Sequence, residues 1–243
     1  LRQYCCSVLI VVHRYGDNPA LHYPLLRQRQ RCIRASDPAV RSYESAMNGF
    51  QEKLEMRMEM SYPWRSHLLK HGYTFDHYPD VYKPVSPTGG APRLNDPAMY
   101  SAAHSDTAFL TDRFLDTLPA YADQSWFAHL TYIRPHPPLV APAPYNDMYS
   151  PDTLPLPVRL PTPAHETAQH PFFGPAQQAF TPADFVVGFP DLQPTAETVQ
   201  TLRALYPGLA TEVDAHIGRV LQLLKYSGQE DKTLGVNPPD PGA

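Results

Sequence analysis

Cysteine is scarce in this chain, and its scarcity excludes several architectures. Cys5, Cys6 and Cys32 are the three cysteines among 243 residues, and they lack the paired spacing of a zinc site or a redox motif. An odd, small number of cysteines does not support the disulfide framework that stabilises many secreted domains. The cysteine usage therefore predicts a reducing compartment, and we expect a cytoplasmic location.

Long apolar runs and an excess of one charge sign are also missing. The apolar run nearest the N-terminus is SVLIVV, residues 7–12, which is too short to cross a bilayer and lacks the flanks of a signal peptide. The net charge is −4, and both signs are mixed along the chain. We therefore expect neither a membrane nor a nucleic acid as the main partner.

The common catalytic and metal-binding motifs are absent. The sequence has no G-x-S-x-G, no H-E-x-x-H, no phosphate-binding glycine loop and no paired C-x-x-C. Three weaker groupings of polar residues remain, and for each of them a solvated surface is the simpler interpretation. These groupings are Asp76 with His77 and Asp80, His165 with His170, and Glu212 with Asp214.

Proline is the residue that the chain has in excess, with 29 of 243 positions. Prolines end helices and are excluded from central strands, so much of the chain is predicted to be loop. Hydrophobic residues still make up 42%, which is enough for a folded core. The length suits one large domain or two small ones.

The apolar patterns between the prolines predict an α/β fold. The predicted strands are 7–12, 125–131 and a third that starts at 233–234, and the predicted helices are 52–69 interrupted at Pro63, 105–118 with Ser105 as N-cap, and 208–226. Continuous β-branched runs are typical of parallel strands that are buried on both faces. We therefore expect the first two strands to be parallel neighbours in one sheet, with the last helix packed on it.

One histidine lies in the most constrained loop of the sequence. The stretch YIRPHPPLVAPAPY, residues 132–145, follows the second predicted strand and contains five prolines. His136 lies between Pro135 and Pro137, where the backbone has little freedom, as a residue that must meet a small ligand requires. The alternative is a polyproline II connector in which the histidine is incidental.

Two long stretches carry a resemblance to a known family. The chain resembles the sulfatase family of the alkaline phosphatase superfamily in two stretches, WFAHLTYIRPHPPLVAPAPYNDMY at 126–149 and LYPGLATEVDAHIGRVLQLLKYSGQEDKTL at 205–234. The similarity is greatest to the branch that contains phosphonate monoester hydrolases and arylsulfatases. Shorter matches follow in the same order, namely MNGF at 47–50, HGYTFDHYPDVYKP at 71–84, SDTAFLTDRFL at 105–115 and AQHP at 168–171.

The resemblance implies a mostly parallel sheet between helices, with a divalent metal at the strand ends. It also implies a formylglycine nucleophile, made from the cysteine of C-x-P-x-R or C-x-A-x-R, that attacks sulfur or phosphorus. The histidine of the R-P-H-P-P loop contacts the sulfate or phosphonate group or the leaving oxygen. His136 matches that position, so the resemblance assigns it a catalytic role on a small anionic ester.

The sequence departs from the family pattern where nucleophile and metal are expected. His13 stands where the family has a metal-binding aspartate, and Asp17 lies four residues further on. Cys32 has Arg34 at the second following position instead of the fourth. The segment after residue 234 contains Asp240 between prolines instead of an Asp-His pair. We therefore expect no cofactor and no tight divalent metal site in this chain.

The sequence as a whole predicts a single, incomplete sulfatase-like domain over residues 1–243. Residues 36–234 match the family, 1–35 match it poorly, and 235–243 form a non-matching tail. The expected function is that of a hydrolase of sulfate esters, phosphonate monoesters or phosphodiesters, in a chain that is itself inactive. A non-catalytic remnant or a module that binds an anion or a partner is the alternative. An α/β scaffold without a site is a third interpretation, and the resemblance leaves an oligomer open.

Overall fold

The computed structural model describes the backbone of residues 6–13, and backbone and side chains of residues 53–56 and 61–236. The strands are β1 (Cys6–His13), β2 (Phe127–Pro135) and β3 (Thr233–Val236). The helices are α1 (Tyr62–Lys70), α2 (Asp106–Thr117), α3 (Pro163–Thr167), α4 (Phe173–Ala179) and α5 (Ala196–Tyr226). Short 3-10 turns connect them at Tyr78–Tyr82, Ala102–His104, Leu118–Tyr121, Tyr145–Asp147, Pro151–Thr153, Pro182–Phe185 and Glu230–Lys232.

The three described strands form one sheet in the order β2-β1-β3. The prediction that the first two strands are neighbours is confirmed, but the predicted parallel direction is wrong. β1 pairs antiparallel with β2, with Val12 opposite Phe127 and Ser7 opposite Tyr132, and it also pairs antiparallel with β3. An apolar run indicates that a strand is buried. The direction of that strand relative to its neighbour depends on the connections between them, which the run does not encode.

The long helix α5 covers the sheet, as the sequence predicts. Val213, Val220 and Leu224 of α5 share a buried cluster with Leu130 and Tyr132 of β2. The helix begins at residue 196, twelve positions before the predicted start, and it contains Pro207. The Pro207 ring removes one backbone donor, which the packing of a helix of 31 residues tolerates.

A second cluster surrounds the buried indole of Trp64 in α1. This ring meets Tyr82 at 5.7 Å and Tyr100 edge-on at 5.2 Å between centroids. The predicted helix over 52–69 is wrong at 53–56, which are irregular, and α1 begins with Pro63 in its first turn. Proline at that position needs no backbone donor, so Pro63 starts a helix here instead of interrupting one. No helix in the described ranges combines the length and apolar character needed to span a bilayer.

Candidate functional site

The loop that contains His136 is anchored by a buried arginine at the end of β2. Arg134 is only 1% exposed, and its Nε–H lies 3.1 Å from one oxygen of the Asp106 carboxylate and 3.2 Å from the other. Its second terminal nitrogen donates to the Tyr100 hydroxyl at 3.1 Å. Burial by itself would lower the pKa of Arg134, but the adjacent Asp106 raises it above the ordinary value. The guanidinium is therefore a permanent, fully enclosed cation.

The same guanidinium holds the loop in place. Its first terminal nitrogen donates to the Pro138 carbonyl oxygen at 2.6 Å, four residues along the chain. The following backbone is fixed from the other side, since the Leu139 N–H donates to the Phe185 carbonyl at 2.7 Å. Prolines on both sides of His136 restrict the backbone that leads from Arg134 to these two anchors. The loop is thus positioned by charge-assisted contacts as well as by its prolines.

The partner carboxylate comes from the first turn of α2. Ser105 is the N-cap predicted from the sequence, and its hydroxyl accepts the Ala108 N–H at 3.0 Å. This cap places Asp106 at the N-terminus of α2, where the helix dipole favours a negative charge. The Asp106 carboxylate also accepts the Thr107 N–H at 3.0 Å, and this hydrogen bond helps to orient the carboxylate towards Arg134.

A second carboxyl group lies behind this ion pair, and the sequence analysis misjudged it. Glu212 was predicted on a solvated helix face, but it is 0% exposed, and only Asp214 of that pair is exposed. Among the described residues, neither Glu212 oxygen has a hydrogen-bond partner of good geometry. Burial raises its pKa to about 7, and the nearby Ser105 hydroxyl and Arg134 oppose the rise while Asp106 adds to it. Burial thus favours the protonated form of this carboxyl group relative to an exposed glutamate.

His136 is half-buried in the loop, and one of its ring nitrogens is already engaged. Its Nδ1 lies 2.5 Å from the Pro137 carbonyl oxygen, and because a carbonyl only accepts, Nδ1–H is the donor. This contact selects the tautomer in which Nε2 is the basic nitrogen. The catalytic role of His136 that the resemblance implies stays a prediction.

The predicted parallel direction would have brought His136 and His13 to the same edge of the sheet, but the antiparallel pairing separates them. Because β1 and β2 run antiparallel, Pro135 pairs with Cys6, at the opposite end of β1 from His13. Seven residues of strand separate the two ends, which is more than about 20 Å at the rise of an extended chain. Asp17, Cys32, Arg34 and Asp240 lie outside the described residues.

The other sequence candidates lie on the surface. His165 and His170 are both exposed, which confirms their interpretation as surface histidines. Asp76 and His77 are also exposed, while Asp80 is half-buried and forms an ion pair with Lys83 at 2.6 Å.

Near the loop after β2, the donors among the described residues do not fit the divalent metal that the family resemblance implies. That metal prefers oxygen ligands, and the position of the family aspartate holds His13, an imidazole. Neither carboxylate near the loop is available as a metal ligand. Asp106 neutralises Arg134, and Glu212 is enclosed and has a raised pKa. No catalytic step through a metal is derived for this chain.

Sequence reasoning missed the ion pair between Arg134 and Asp106. A usable signal was present, because an arginine at the end of a strand between apolar and proline residues requires a buried acidic partner. The short stretch Ser105–Asp106, with its strong N-cap pattern, was the best source for that carboxylate.

Comparisons with known proteins assign a family to this architecture. The family model described as Sulfatase matches residues 40–236. The multifunctional alkaline phosphatase superfamily protein PehA of Trinickia caryophylli is 32% identical over 233 residues, which cover 93% of this chain and 45% of that protein. Two solved structures of phosphonate monoester hydrolases are also similar to this chain.

The protein from Silicibacter pomeroyi is 65% identical with a TM-score of 0.76, and the match covers 83% of this chain and 40% of that one. The protein from Agrobacterium radiobacter is 31% identical with a TM-score of 0.70, and the match covers 82% and 40%. The chain thus spans less than half the length of these relatives. Their alkaline-phosphatase-like fold agrees with the fold that the sequence predicts, apart from the strand direction corrected above.

Proposed function

Because the chain belongs to the sulfatase family, we propose that it supplies the substrate-facing loop of a hydrolase that acts on sulfate esters, phosphonate monoesters or phosphodiesters. The observation that carries the proposal is the loop after β2, in which an enclosed arginine fixes the backbone around His136. The names of the relatives from Silicibacter pomeroyi and Agrobacterium radiobacter support phosphonate monoesters within this substrate class.

In this proposal His136 is the catalytic residue that contacts the substrate. Because Nδ1–H donates to Pro137, Nε2 is the nitrogen that gains and releases the proton. A protonated Nε2 donates to a non-bridging oxygen or to the leaving oxygen of the ester. This hydrogen bond stabilises the negative charge that develops there in the transition state.

Arg134 acts as a positioning residue. Its donors are directed at Asp106, Tyr100 and Pro138, and its side chain is enclosed, so it does not reach an anionic ester. Its positive charge is balanced locally by Asp106, which leaves little field to attract a substrate. The arginine of the R-P-H-P-P motif therefore contributes geometry, and the histidine contributes the contact with substrate.

We further propose that these 243 residues alone do not complete turnover. None of the three cysteines begins a C-x-P-x-R or C-x-A-x-R motif, and His13 stands in place of the metal-binding aspartate. Without nucleophile and metal, the interactions that are specific to the transition state are largely lost, and weak binding of the anion is what remains.

The direct test is an assay of the purified chain on aryl sulfate, aryl phosphonate monoester and aryl phosphodiester, with Mg²⁺, Mn²⁺ or Zn²⁺ added. We expect no release of phenol above the background. In parallel, NMR titration with phenylphosphonate is expected to detect weak binding that His136→Ala removes and that His170→Ala, at an exposed site, leaves unchanged. Turnover by the chain, or phenylphosphonate binding that survives in His136→Ala, would contradict the proposal.

The proposed partner is a small anionic ester, without nucleic acid or membrane as a required partner. The mixed charges and the net charge of −4 support this, because a polyanion would require a basic surface. We also propose a cytoplasmic location, which rests on the small, odd number of cysteines and the absence of a motif spacing among them. Fractionation of the source cells with an antibody against this chain tests that location.

A further inference from the structure

Three histidines converge at the end of α1, remote in sequence from the loop after β2. His67 lies in the last turn of α1 and His71 is the residue that caps it, so the spacing of four places both rings on one face of the helix. His104 ends the 3-10 turn Ala102–His104. The ring centroid of His71 is 4.2 Å from that of His67 and 4.2 Å from that of His104.

The protein core holds these two segments together. The buried Trp64 indole N–H donates to the His104 carbonyl at 2.9 Å, which fixes the 3-10 turn against α1. One potential ligand atom from each histidine lies within 4.8 Å of those of the other two. Zn–N bonds of about 2.0–2.1 Å in a tetrahedral site require donor separations of about 3.4 Å, so small rotations of the rings are sufficient.

The hydrogen bonds of the rings leave the right nitrogens for a metal. His71 Nδ1–H donates to the His67 carbonyl at 2.8 Å, which makes Nε2 the lone-pair nitrogen. His104 Nδ1 lies 2.9 Å from the Tyr73 hydroxyl and 3.3 Å from the Ser101 hydroxyl. His67 Nε2 is buried and, within the described residues, has no hydrogen-bond partner. Ring nitrogens that bind metals commonly have this outer support on the opposite nitrogen.

The surroundings of His67 and His104 disfavour the protonated form of their rings. Burial lowers the pKa of His67, and His71, His104 and Arg113 lower it further, while Asp112 opposes them. Burial and His71 lower the pKa of His104. The unprotonated imidazole nitrogen carries the lone pair that a metal ion requires, and the geometry of the three rings brings such nitrogens together.

We propose that His67, His71 and His104 form a binding site for one late first-row divalent cation, with Zn²⁺ as the ion of first choice. Three imidazoles suit Zn²⁺, Ni²⁺ and Cu²⁺, whereas Mg²⁺ and Ca²⁺ prefer oxygen ligands. The set is complete within this chain and leaves a fourth position for water. The site is separate from the family's catalytic metal and does not depend on the proposed function.

The bound cation would connect α1 to the segment that anchors the loop of His136. His104 immediately precedes Ser105, the N-cap of α2, and Asp106, the partner of Arg134. A cation that fixes His104 against α1 therefore stabilises the start of α2. The expected consequence is a higher melting temperature of the whole chain in the presence of Zn²⁺.

Isothermal titration of the untagged, chelator-treated chain with ZnCl₂ tests the site. We expect one Zn²⁺ per chain, a rise in melting temperature, and no response to MgCl₂. His71→Ala is the first variant, because this ring is exposed and its loss is compatible with folding. This variant and His104→Ala are each expected to weaken Zn²⁺ binding at least about 100-fold, and Tyr73→Phe about 10-fold.

Two control variants separate this site from rival ligands. His77→Ala removes an exposed histidine beside Asp76 and Asp80, and replacement of all three cysteines by serine removes the thiols. Both are expected to bind Zn²⁺ as the unchanged chain does. The proposal is overturned if the chain takes up no stoichiometric Zn²⁺, if His71→Ala binds with unchanged affinity, or if either control loses binding. Stoichiometric binding through the three histidines would also overturn the expectation that this chain has no tight divalent metal site.

Discussion

The buried carboxyl group of Glu212 makes the stability of this protein depend on pH in a predictable direction. Burial raises the folded-state pKa of Glu212 to about 7, from 4.5. A raised pKa means that the folded state binds the proton more tightly than the unfolded state. Its contribution to stability is therefore fully present below pH 4.5 and is lost as the pH rises through 7. The difference of about 2.5 pKa units corresponds to about 3 kcal/mol of unfolding free energy between pH 4.5 and pH 8.

Denaturant unfolding of the chain and of Glu212→Gln at pH 4.5 and pH 8 measures this contribution. His216 titrates in the opposite sense, because burial lowers its pKa to about 4, so the comparison must use the difference between the two proteins. Glutamine resembles the protonated acid and does not titrate. The unfolding free energy of Glu212→Gln minus that of the unchanged chain should therefore increase by about 3 kcal/mol from pH 4.5 to pH 8. Asp214→Asn, at an exposed position of the same helix, should show no such growth. A pH-independent difference for Glu212→Gln would refute the reasoning.

Two further predictions concern packing and the buried ion pair. A Cβ atom at Gly208 would overlap the backbone carbonyl of Tyr145, so Gly208→Ala should destabilise the fold by about 1–3 kcal/mol. Gly218 lies on the open face of the same helix, and Gly218→Ala should stabilise the fold by up to about 1 kcal/mol. Equal effects at the two glycines would contradict the close packing. Arg134→Met should cost about 3–5 kcal/mol in chemical unfolding because it leaves the Asp106 carboxylate uncompensated, and adding Asp106→Leu should recover much of the loss. If the double variant recovers no stability, the lost unfolding free energy comes from changed packing and not from an uncompensated charge, which would contradict the prediction.

Local signals in the sequence were sufficient for several elements of the fold. The Ser105 hydroxyl caps α2 as predicted, because the cap depends on a few adjacent residues. The apolar stripe of residues 209–224 predicted the buried face of α5, and the strand that starts at Thr233 is present as β3. Each of these features is encoded by residues that lie close together in the sequence.

Several of the failures depend on partners that are distant in sequence. The direction of β1 relative to β2 follows from the path of the chain between them, and it separates His136 from His13. Glu212 lies on the buried stripe of α5, three residues after Leu209, and it was its charged side chain that suggested a solvated site. Its burial follows from packing against segments that are distant in sequence, including Ser105 and Arg134. The three-histidine cluster joins residues 67 and 104, and no spacing rule connects them.

The central claim is that the loop after β2 presents His136 to an anionic ester. The most direct measurement is the binding of phenylphosphonate, followed by NMR titration of the chain and of its variants. His136→Ala should abolish this binding, while His170→Ala, at an exposed position, should leave it unchanged. Phenylphosphonate binding that survives in His136→Ala would contradict the account and leave the loop as a connector.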